Sequence, residues 1–204
     1  MVDVGQIRLA AAKAPVWEAA PPGPGRAAVA VILRDADAGA QVLLIRRAER
    51  PGDPWSGHMG LPGGRWESGD PELVDTAIRE TREEVGLDLT LAGTPLGCLR
   101  TIPAVAHGRR TGLTITPFLF AVAGDPRLQQ NDEIAETLWV PIDVLQDRRH
   151  RTTVEYERDG RKFRLPAWEF HGRIIWGLTH AMLTSLLALL PAPTSNPPAD
   201  PAVR

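Results

Sequence analysis

The chain has 204 residues, of which 43% are hydrophobic and 24% are charged, and it carries a formal net charge of −2. This composition is that of one ordinary globular domain with tails, and the weak charge excludes a broad basic surface for nucleic acid or an anionic membrane. The single cysteine, Cys98, excludes a disulfide framework and a zinc site made of cysteines.

The residues near both ends have the composition of tails. Residues 1–26 are predicted to be a flexible, irregular segment with at most a turn or two of helix at 7–13, and the proline-rich residues 191–204 are predicted to be disordered. No stretch reaches the roughly 20 apolar residues of a membrane span. The N-terminal residues lack the basic region and apolar run of a secretory signal, so we expect a cytoplasmic protein.

Residues 27–190 are predicted to form one domain in which strands predominate. Residues 27–34 and 41–47 are rich in Val, Ile and Leu and are separated by a polar turn, which predicts a hairpin of two strands. Residues 48–64 contain many Pro and Gly, which predicts a long loop. Long ordered loops in compact domains are usually functional.

The remaining elements complete the expected fold. Strands are predicted at 95–102, 112–122, 136–140, 152–157 and 161–166, the last two as a hairpin around Asp159-Gly160. Helices are predicted at 71–85 and at about 175–190, and Trp168 and Trp176 near the second helix are expected to pack in the core. This order predicts an α/β protein of the α+β type, an α/β/α sandwich with a mixed β-sheet between helices.

The helix at 71–85 has clear end signals. Asp70 suits the N-cap, Pro71 suits the first helical position, and Gly86 stands where a C-terminal cap belongs. At about 100° per residue, one side of this helix should face the sheet. The residues on that side are Val74, Ala77, Ile78, Thr81 and Val85.

Three carboxylates share a neighbouring face of the same helix. Glu80 and Glu84 are one turn apart with Glu83 beside them, and like charges at this spacing repel one another. Arg79 stands one turn before Glu83 and can pair with it. A hard divalent cation bound by carboxylate oxygens would relieve the remaining repulsion, whereas a solvated charged face is the alternative interpretation of the same pattern.

The segment from Gly64 to Leu87 resembles the signature of the Nudix hydrolase family. That signature is a glycine, five residues, an acid and a spacer, followed by Arg-Glu, an aliphatic residue, any residue, Glu-Glu, any residue, Gly and an aliphatic residue. Gly64 and Asp70 match its opening, and residues 79–87 (RETREEVGL) match its close. It departs from the signature in three ways: Asp70 replaces glutamate, Thr81 replaces a bulky aliphatic residue, and eight residues instead of seven separate Asp70 from Arg79.

The aspartate and the longer spacer resemble the coenzyme A pyrophosphatase-like subgroup of this family. Its upstream signature is matched in part, by Leu43, Leu44, Arg47, Gly57 and Pro62-Gly63-Gly64. Other positions differ, because Ala48-Glu49 stands where Ser-Ala is expected, Asp53 where an arginine is expected, and Leu61 where a phenylalanine is expected.

The resemblance implies hydrolysis of a nucleoside diphosphate joined to another group, with coenzyme A or its derivatives as the subgroup's substrates and Mg²⁺ or Mn²⁺ as cofactor. It implies Glu80, Glu84 and the Gly63 carbonyl as metal ligands, with Glu83 completing the cluster and Arg79 orienting it. The base that takes the water proton is left open between Glu80, Glu83 and an acid outside the helix. Glu133 and Glu136 are the outside candidates, against the alternative of a polar loop before a strand.

Four residues before the helix are candidates for substrate binding. Trp55 can stack on a base or cover the edge of the core, and His58 can line the mouth of the site or be structural. Arg46 and Arg47 alternate on a strand, so one of them should point out of the core toward phosphate.

Other functions remain open at the level of sequence. ADP-ribose, dinucleoside polyphosphates and nucleoside triphosphates are alternative substrates, and a nucleotide-binding module without catalysis is an alternative from another class. The expected partner is a small-molecule nucleotide, not nucleic acid or membrane. A homodimer is possible in principle, but no residue identifies an interface.

Overall fold

The computed structural model describes residues 1–13, 19–52, 55–106, 109–158 and 160–191. Asp53, Asp159 and the predicted tail from residue 192 onward lie outside the described residues. The elements in chain order are α1 (Val4–Lys13), β1 (Arg26–Ala36), β2 (Gly39–Arg47), β3 (Met59–Gly60), β4 (Gly63–Arg65), α2 (Leu73–Val85), α3 (Leu89–Ala92), β5 (Gly93–Cys98), β6 (Ile102–Ala106), β7 (Arg109–Val122), β8 (Ile134–Pro141), α4 (Ile142–Gln146), a short 3-10 helix (Arg148–His150), β9 (Arg151–Arg158), β10 (Arg161–Phe170), β11 (Arg173–Trp176) and α5 (Gly177–Leu187).

An eight-stranded mixed sheet forms the centre of the molecule. Its main order is β3-β2-β1-β7-β5, while β4 pairs with β1, β6 with β7 and β8 with β2. Strands β1 and β7 run parallel, and the other pairs are antiparallel. A second sheet of three strands, in the order β11-β10-β9, lies beside it.

Strand β1 is buried on both faces, which divides the core into two layers. Ala28, Ala30 and Ile32 pack on one face with residues of α2, and the alternate residues of the strand pack on the other face with α4 and α5. Side chains alternate between the faces of a strand, so one apolar run serves both layers. The predicted sandwich of a mixed sheet between helices is confirmed.

Several elements differ from the sequence-based expectations. The predicted loop at 48–64 contains the short strands β3 and β4, and the predicted strand at 95–102 ends at Cys98, after which β6 begins at Ile102. The closing helix begins at Gly177 because residues 173–176 pair with β10 as strand β11. These boundaries are set by pairing with neighbouring strands, which cannot be predicted from the local preferences of the residues.

The N-terminal helix is more extensive than the expected irregular segment. Residues 4–13 form α1, in which Ile7 is completely buried and Val4 nearly so. The backbone amide of Val4 also donates to Asp35 at 2.8 Å, which ties the helix to β1. Among the described residues, no helix is both long and apolar enough to span a membrane.

Candidate active site

Helix α2 carries the carboxylates, and its start differs from the prediction. Glu72 is the N-cap, and the Glu72 and Asp75 side chains each accept a hydrogen bond from the other's backbone amide in a capping box. Asp70 is therefore not the helix cap, and that prediction is wrong. Gly86 is confirmed as the C-terminal cap, with a left-handed φ of 69° and its amide bonded to the Arg82 carbonyl.

The buried Asp70 instead accepts hydrogen bonds from side chains of α2. Its carboxylate accepts bonds from Arg79 Nε at 3.0 Å and from the Thr76 hydroxyl at 2.8 Å, and it is 6% exposed. Burial raises the pKa of Asp70, but the hydrogen bonds from Arg79 and Thr76 hold it below its usual value. The carboxylate is therefore ionised and holds the guanidinium of Arg79 in place.

Arg79 links four acceptors around the helix. Besides Asp70, its guanidinium donates to Glu80 Oε1 at 3.1 Å, to Glu83 Oε2 at 3.1 Å and to the Arg65 carbonyl at 3.0 Å. The expected pairing of Arg79 with Glu83 is thus present. The Glu83 side chain is 54% exposed, so it lies on the outer side of this group.

Glu84 lies deepest in the site. Its side chain is 3% exposed, its Oε2 accepts a bond from the Gly63 amide at 2.9 Å, and Arg47 Nη1 is 3.9 Å from its Oε1. Burial raises the pKa of Glu84 to about 8, and the negative charges of Glu80 and Glu133 add to this effect. A carboxylate in such surroundings favours a proton or a bound cation.

Glu80 lies next to it under similar conditions. Burial raises the pKa of Glu80, although the neighbouring guanidinium of Arg79 opposes this. A Cβ atom at Gly64 would collide with the Glu80 carboxylate as it is placed here, so a larger residue would require the Glu80 side chain to move. At Gly63, with φ of 149°, a Cβ would collide with the backbone of β1. The glycine pair therefore allows the backbone of β4 to lie against both carboxylates.

A cavity of about 940 Å³ opens over these residues. This volume is at the upper end of the roughly 300–1,000 Å³ typical of small-molecule sites. The predicted site residues that line it are Gly63, Glu80, Glu84, Arg47, Trp55, His58 and Glu133. The structure thus brings together residues of β2, β4, α2 and three loop positions in one cleft.

Arg46 is placed elsewhere. Its Nε bonds to Glu136 Oε2 at 3.3 Å, and Glu136 also accepts two bonds from Arg173, at 2.7 and 3.1 Å. Hydrogen bonds from Arg173 and Arg46 lower the pKa of Glu136, which is thus a structural acceptor outside the cavity lining. Of the two candidate arginines, Arg47 lines the cavity and the substrate-binding candidate Arg46 does not, which fits the alternation expected along the strand. Of the two candidate acids before β8, Glu133 lines the cavity and Glu136 does not. The pairing of β2 with β8 shifts register between Arg46 and Arg47.

Several residues that line the cavity were not site candidates in the sequence, among them four with aromatic or charged side chains. Arg65 ends strand β4, Tyr156 and Phe163 lie opposite each other on β9 and β10, and Trp176 ends β11. Trp176 was expected to pack, yet it contacts His58 edge-on at 4.9 Å and Tyr156 at 6.0 Å within the cavity wall. Each of these two aromatic residues stands between charged residues in its own strand, and this alternation was the sequence signal for a strand with one apolar face.

The side chains of the site supply some, but not all, of the oxygen ligands that a divalent cation needs. Glu80 and Glu84 provide two buried neighbouring carboxylates, whose mutual repulsion a cation would relieve. Glu83 does not line the cavity. Among the described residues, no three side chains of His, Cys, Asp or Glu are close enough to hold an ion by themselves. Further ligands would thus come from backbone oxygen, substrate or water, as is usual for Mg²⁺.

Comparisons with family models and with known proteins identify the same family. Residues 24–158 match the model of the NUDIX domain. The human mitochondrial coenzyme A diphosphatase NUDT8 is 31% identical over 180 residues, which are 85% of this chain and 73% of that protein. An uncharacterized protein of Schizosaccharomyces pombe is 38% identical over 104 residues, which are 50% of this chain. The match spans only 32% of the length of that yeast relative.

The solved structures include an Ap4A hydrolase of C. elegans in a binary complex. It is 24% identical to this chain, with a TM-score of 0.49, and the match covers 58% of this chain and 80% of that one.

Proposed function

The chain belongs to the NUDIX domain family, and we propose that it is a divalent-cation-dependent hydrolase of nucleoside diphosphates linked to another group, with coenzyme A or a derivative as substrate. The observation that carries this proposal is the pair of buried carboxylates, Glu80 and Glu84, held against the Gly63-Gly64 backbone at one end of a large cavity. The human relative named as a coenzyme A diphosphatase supports the choice of substrate.

Glu80 and Glu84 would hold Mg²⁺ or Mn²⁺, with the Gly63 carbonyl as the third predicted ligand. A bound divalent cation neutralises the charge of the diphosphate and lowers the pKa of a nearby water molecule. Arg79 keeps Glu80 in position, because Asp70 fixes the guanidinium from the other side. The Gly63 amide fixes one oxygen of Glu84, which leaves its other oxygen directed toward Arg47.

The basic residues of the lining would bind the diphosphate. Arg47 and Arg65 are the two arginines that line the cavity among the described residues, and Arg47 lies beside Glu84. One guanidinium group can donate two parallel hydrogen bonds to phosphate oxygens, which orients the substrate. The two arginines would thus place the phosphorus atoms close to the carboxylates of α2.

Glu133 is the acid outside the helix that can accept the water proton. It lines the cavity, and its charge contributes to the raised pKa of Glu84, so it lies within electrostatic reach of that carboxylate. Arg50 Nη1 holds Glu133 Oε1 at 3.0 Å. Glu80 and Glu83 stay alternative bases, and Glu83 is the weaker one because it is outside the cavity lining.

A substrate panel tests the proposed function. Purified chain is incubated with coenzyme A, ADP-ribose, diadenosine polyphosphate and nucleoside triphosphate, each with Mg²⁺, with Mn²⁺ and with a chelator, and the products are identified by mass spectrometry. We expect coenzyme A to be cleaved into a phosphopantetheine and an adenosine 3′,5′-bisphosphate, and chelation to abolish the reaction. Cation-dependent cleavage of another substrate alone would refute the coenzyme A assignment, and turnover unaffected by the chelator would refute the cation dependence.

The homodimer and the cytoplasmic location stay predictions. Light scattering of the purified chain measures its mass, and a tagged chain observed in cells reports its location. The human relative is named as mitochondrial, so the second measurement discriminates between two defined compartments.

A further inference from the structure

The charged and uncharged side chains of the cavity are separated in space. Among the described lining residues, the arginines and glutamates all belong to α2, β2, β4 and the loop before β8. They are connected with one another, since Arg47 lies 3.9 Å from Glu84 and Glu133 acts electrostatically on Glu84. This end of the cavity is the one that would bind the diphosphate.

The sheet register places an apolar surface on the other side of β1. Ala27 pairs with Arg65 of β4 on one side and with Ile115 of β7 on the other, and Ile115 in turn pairs with Ile102 of β6. Neighbouring strands are about 4.8 Å apart, so Ile115 lies about 10 Å from the glycine strand. The lining residues of β6 and β7 are Val105, Leu113 and Ile115, and all three are apolar.

The second sheet and the last helix cover this surface. Phe163 and Tyr156 are directly opposite on β10 and β9, and Leu165 follows Phe163 on the same face of its strand. Leu178 and Met182 of α5 complete the lining there. Apart from His58 beside Trp176, the described lining residues at this end have no ionisable side chain other than the Tyr156 phenol.

Two of these apolar side chains are incompletely covered. Phe163 is 43% exposed and Val105 is 39% exposed, although both line the cavity. Because both side chains line the cavity, their uncovered apolar surface is available to an apolar group of a ligand. A second nucleotide or a sugar phosphate at this end would find no arginine or lysine among the described lining residues, whereas an uncharged chain would be well matched.

We propose that Phe163, Val105 and the apolar residues between β7 and α5 form a subsite for an uncharged, largely aliphatic chain, which is the group joined to the nucleoside diphosphate. The subsite selects the substrate through the group joined to the nucleoside diphosphate. The residues of α2 and β4 act on the diphosphate itself. This inference rests on the proposed function, because it assigns the other half of the same substrate. Phe163 and Val105 are its specificity-determining residues.

Two substrates with the same adenosine diphosphate half test the subsite. Dephospho-coenzyme A carries an uncharged chain and ADP-ribose carries a sugar, so the ratio of their kcat/KM values isolates the contribution of the second group. We expect the wild-type ratio to exceed one by about tenfold or more, and Phe163→Ala and Val105→Ser each to lower it several-fold. Lys162→Ala is the matched control, because Lys162 is exposed on the opposite face of the same strand and should keep the ratio.

A ratio near one in the wild type, or an equal fall in the Lys162 control, would overturn the subsite. If neither substrate is hydrolysed, the proposed function fails, and binding decides the subsite separately. Trp55 and Trp176 line the cavity, so their fluorescence reports binding of dephospho-coenzyme A and of ADP-ribose. Binding of the chain-bearing ligand that is tighter than that of ADP-ribose, and weakened by Phe163→Ala, would support the subsite, and equal binding would reject it.

Discussion

The Gly63 amide donates a hydrogen bond of 2.9 Å to the Glu84 carboxylate, 21 residues further along the chain. This bond joins strand β4 to the buried side of helix α2 and places one end of the carboxylate against the backbone. Burial and the negative charges of Glu80 and Glu133 raise the pKa of Glu84, while this bond and the positive charge of Arg47 oppose that rise. The bond thus keeps the carboxylate in place without neutralising it.

The stability of the cation-free protein should fall as the pH rises through the range set by Glu84. The pKa of this group is raised from 4.5 to about 8 in the folded state, so between these values the folded chain holds a proton that the unfolded chain releases. The free energy of unfolding then decreases with pH by up to about 1.4 kcal/mol per pH unit. Glu84→Gln should remove this contribution, so the variant becomes more stable than wild type near pH 8 and above. Denaturant unfolding of both proteins with chelator, from pH 5 to 9, measures the difference, and parallel curves would contradict it.

Alanine in place of Gly63 should mainly lower stability, whereas alanine in place of Gly64 should mainly lower activity. At Gly63 a Cβ would meet the β1 backbone and the residue has a positive φ, so Gly63→Ala should lower the free energy of unfolding by about 2 kcal/mol or more. At Gly64 a Cβ would meet only the end of the Glu80 side chain, which can move. Gly64→Ala should therefore keep most of the stability and lose activity by at least about tenfold. Denaturant unfolding and steady-state kinetics on both variants check this, and equal losses of stability would contradict it.

Consecutive arginines on β2 should differ in function. Arg47 lines the cavity beside Glu84, whereas Arg46 pairs with Glu136 outside it. Arg47→Ala should raise KM about tenfold or more through the loss of a charge-assisted contact with phosphate. Arg46→Ala should leave kcat and KM unchanged and cost less than about 1 kcal/mol of stability, because Arg173 still holds Glu136. The same KM in both variants would show that the cavity has been misassigned.

Removal of the Asp70 carboxylate should affect both stability and activity. Asp70→Asn weakens the buried bonds to Arg79 and Thr76 and should lower the free energy of unfolding by about 2 kcal/mol or more. Because Arg79 then loses its anchor, Glu80 should be less well positioned and kcat should fall. Asp75→Asn is the control, since the Asp75 carboxylate accepts the exposed capping bond from the Glu72 amide, and the change should cost about 1 kcal/mol or less with kcat maintained. Unchanged kcat in Asp70→Asn would refute the positioning role.

Part of this arrangement can be predicted from the sequence because its signals are local. The spacing of Glu80 and Glu84, the glycine pair before the helix and the cap at Gly86 all depend on residues close together in the chain. The two layers of the core follow from apolar runs in the strands. These features are independent of how distant segments meet.

Other parts depend on long-range pairing and could not be predicted. Asp70 resembles an N-cap in sequence, but its buried bonds to Arg79 and Thr76 place the helix start two residues later. The choice between Arg46 and Arg47 depends on an irregular register with β8, about 90 residues away. The aromatic wall needs Trp176 to lie against His58, a contact that no local pattern contains.

Binding of Mn²⁺ to the full chain tests the central claim most directly, that Glu80 and Glu84 hold a divalent cation. Isothermal titration calorimetry on wild type, Glu80→Gln, Glu84→Gln and Glu83→Gln measures the dissociation constant of each. We predict that the first two variants lose at least about tenfold in affinity, while Glu83→Gln, whose side chain is 54% exposed and paired with Arg79, loses much less. Unchanged affinity in Glu84→Gln, or an equal loss in Glu83→Gln, would contradict the account.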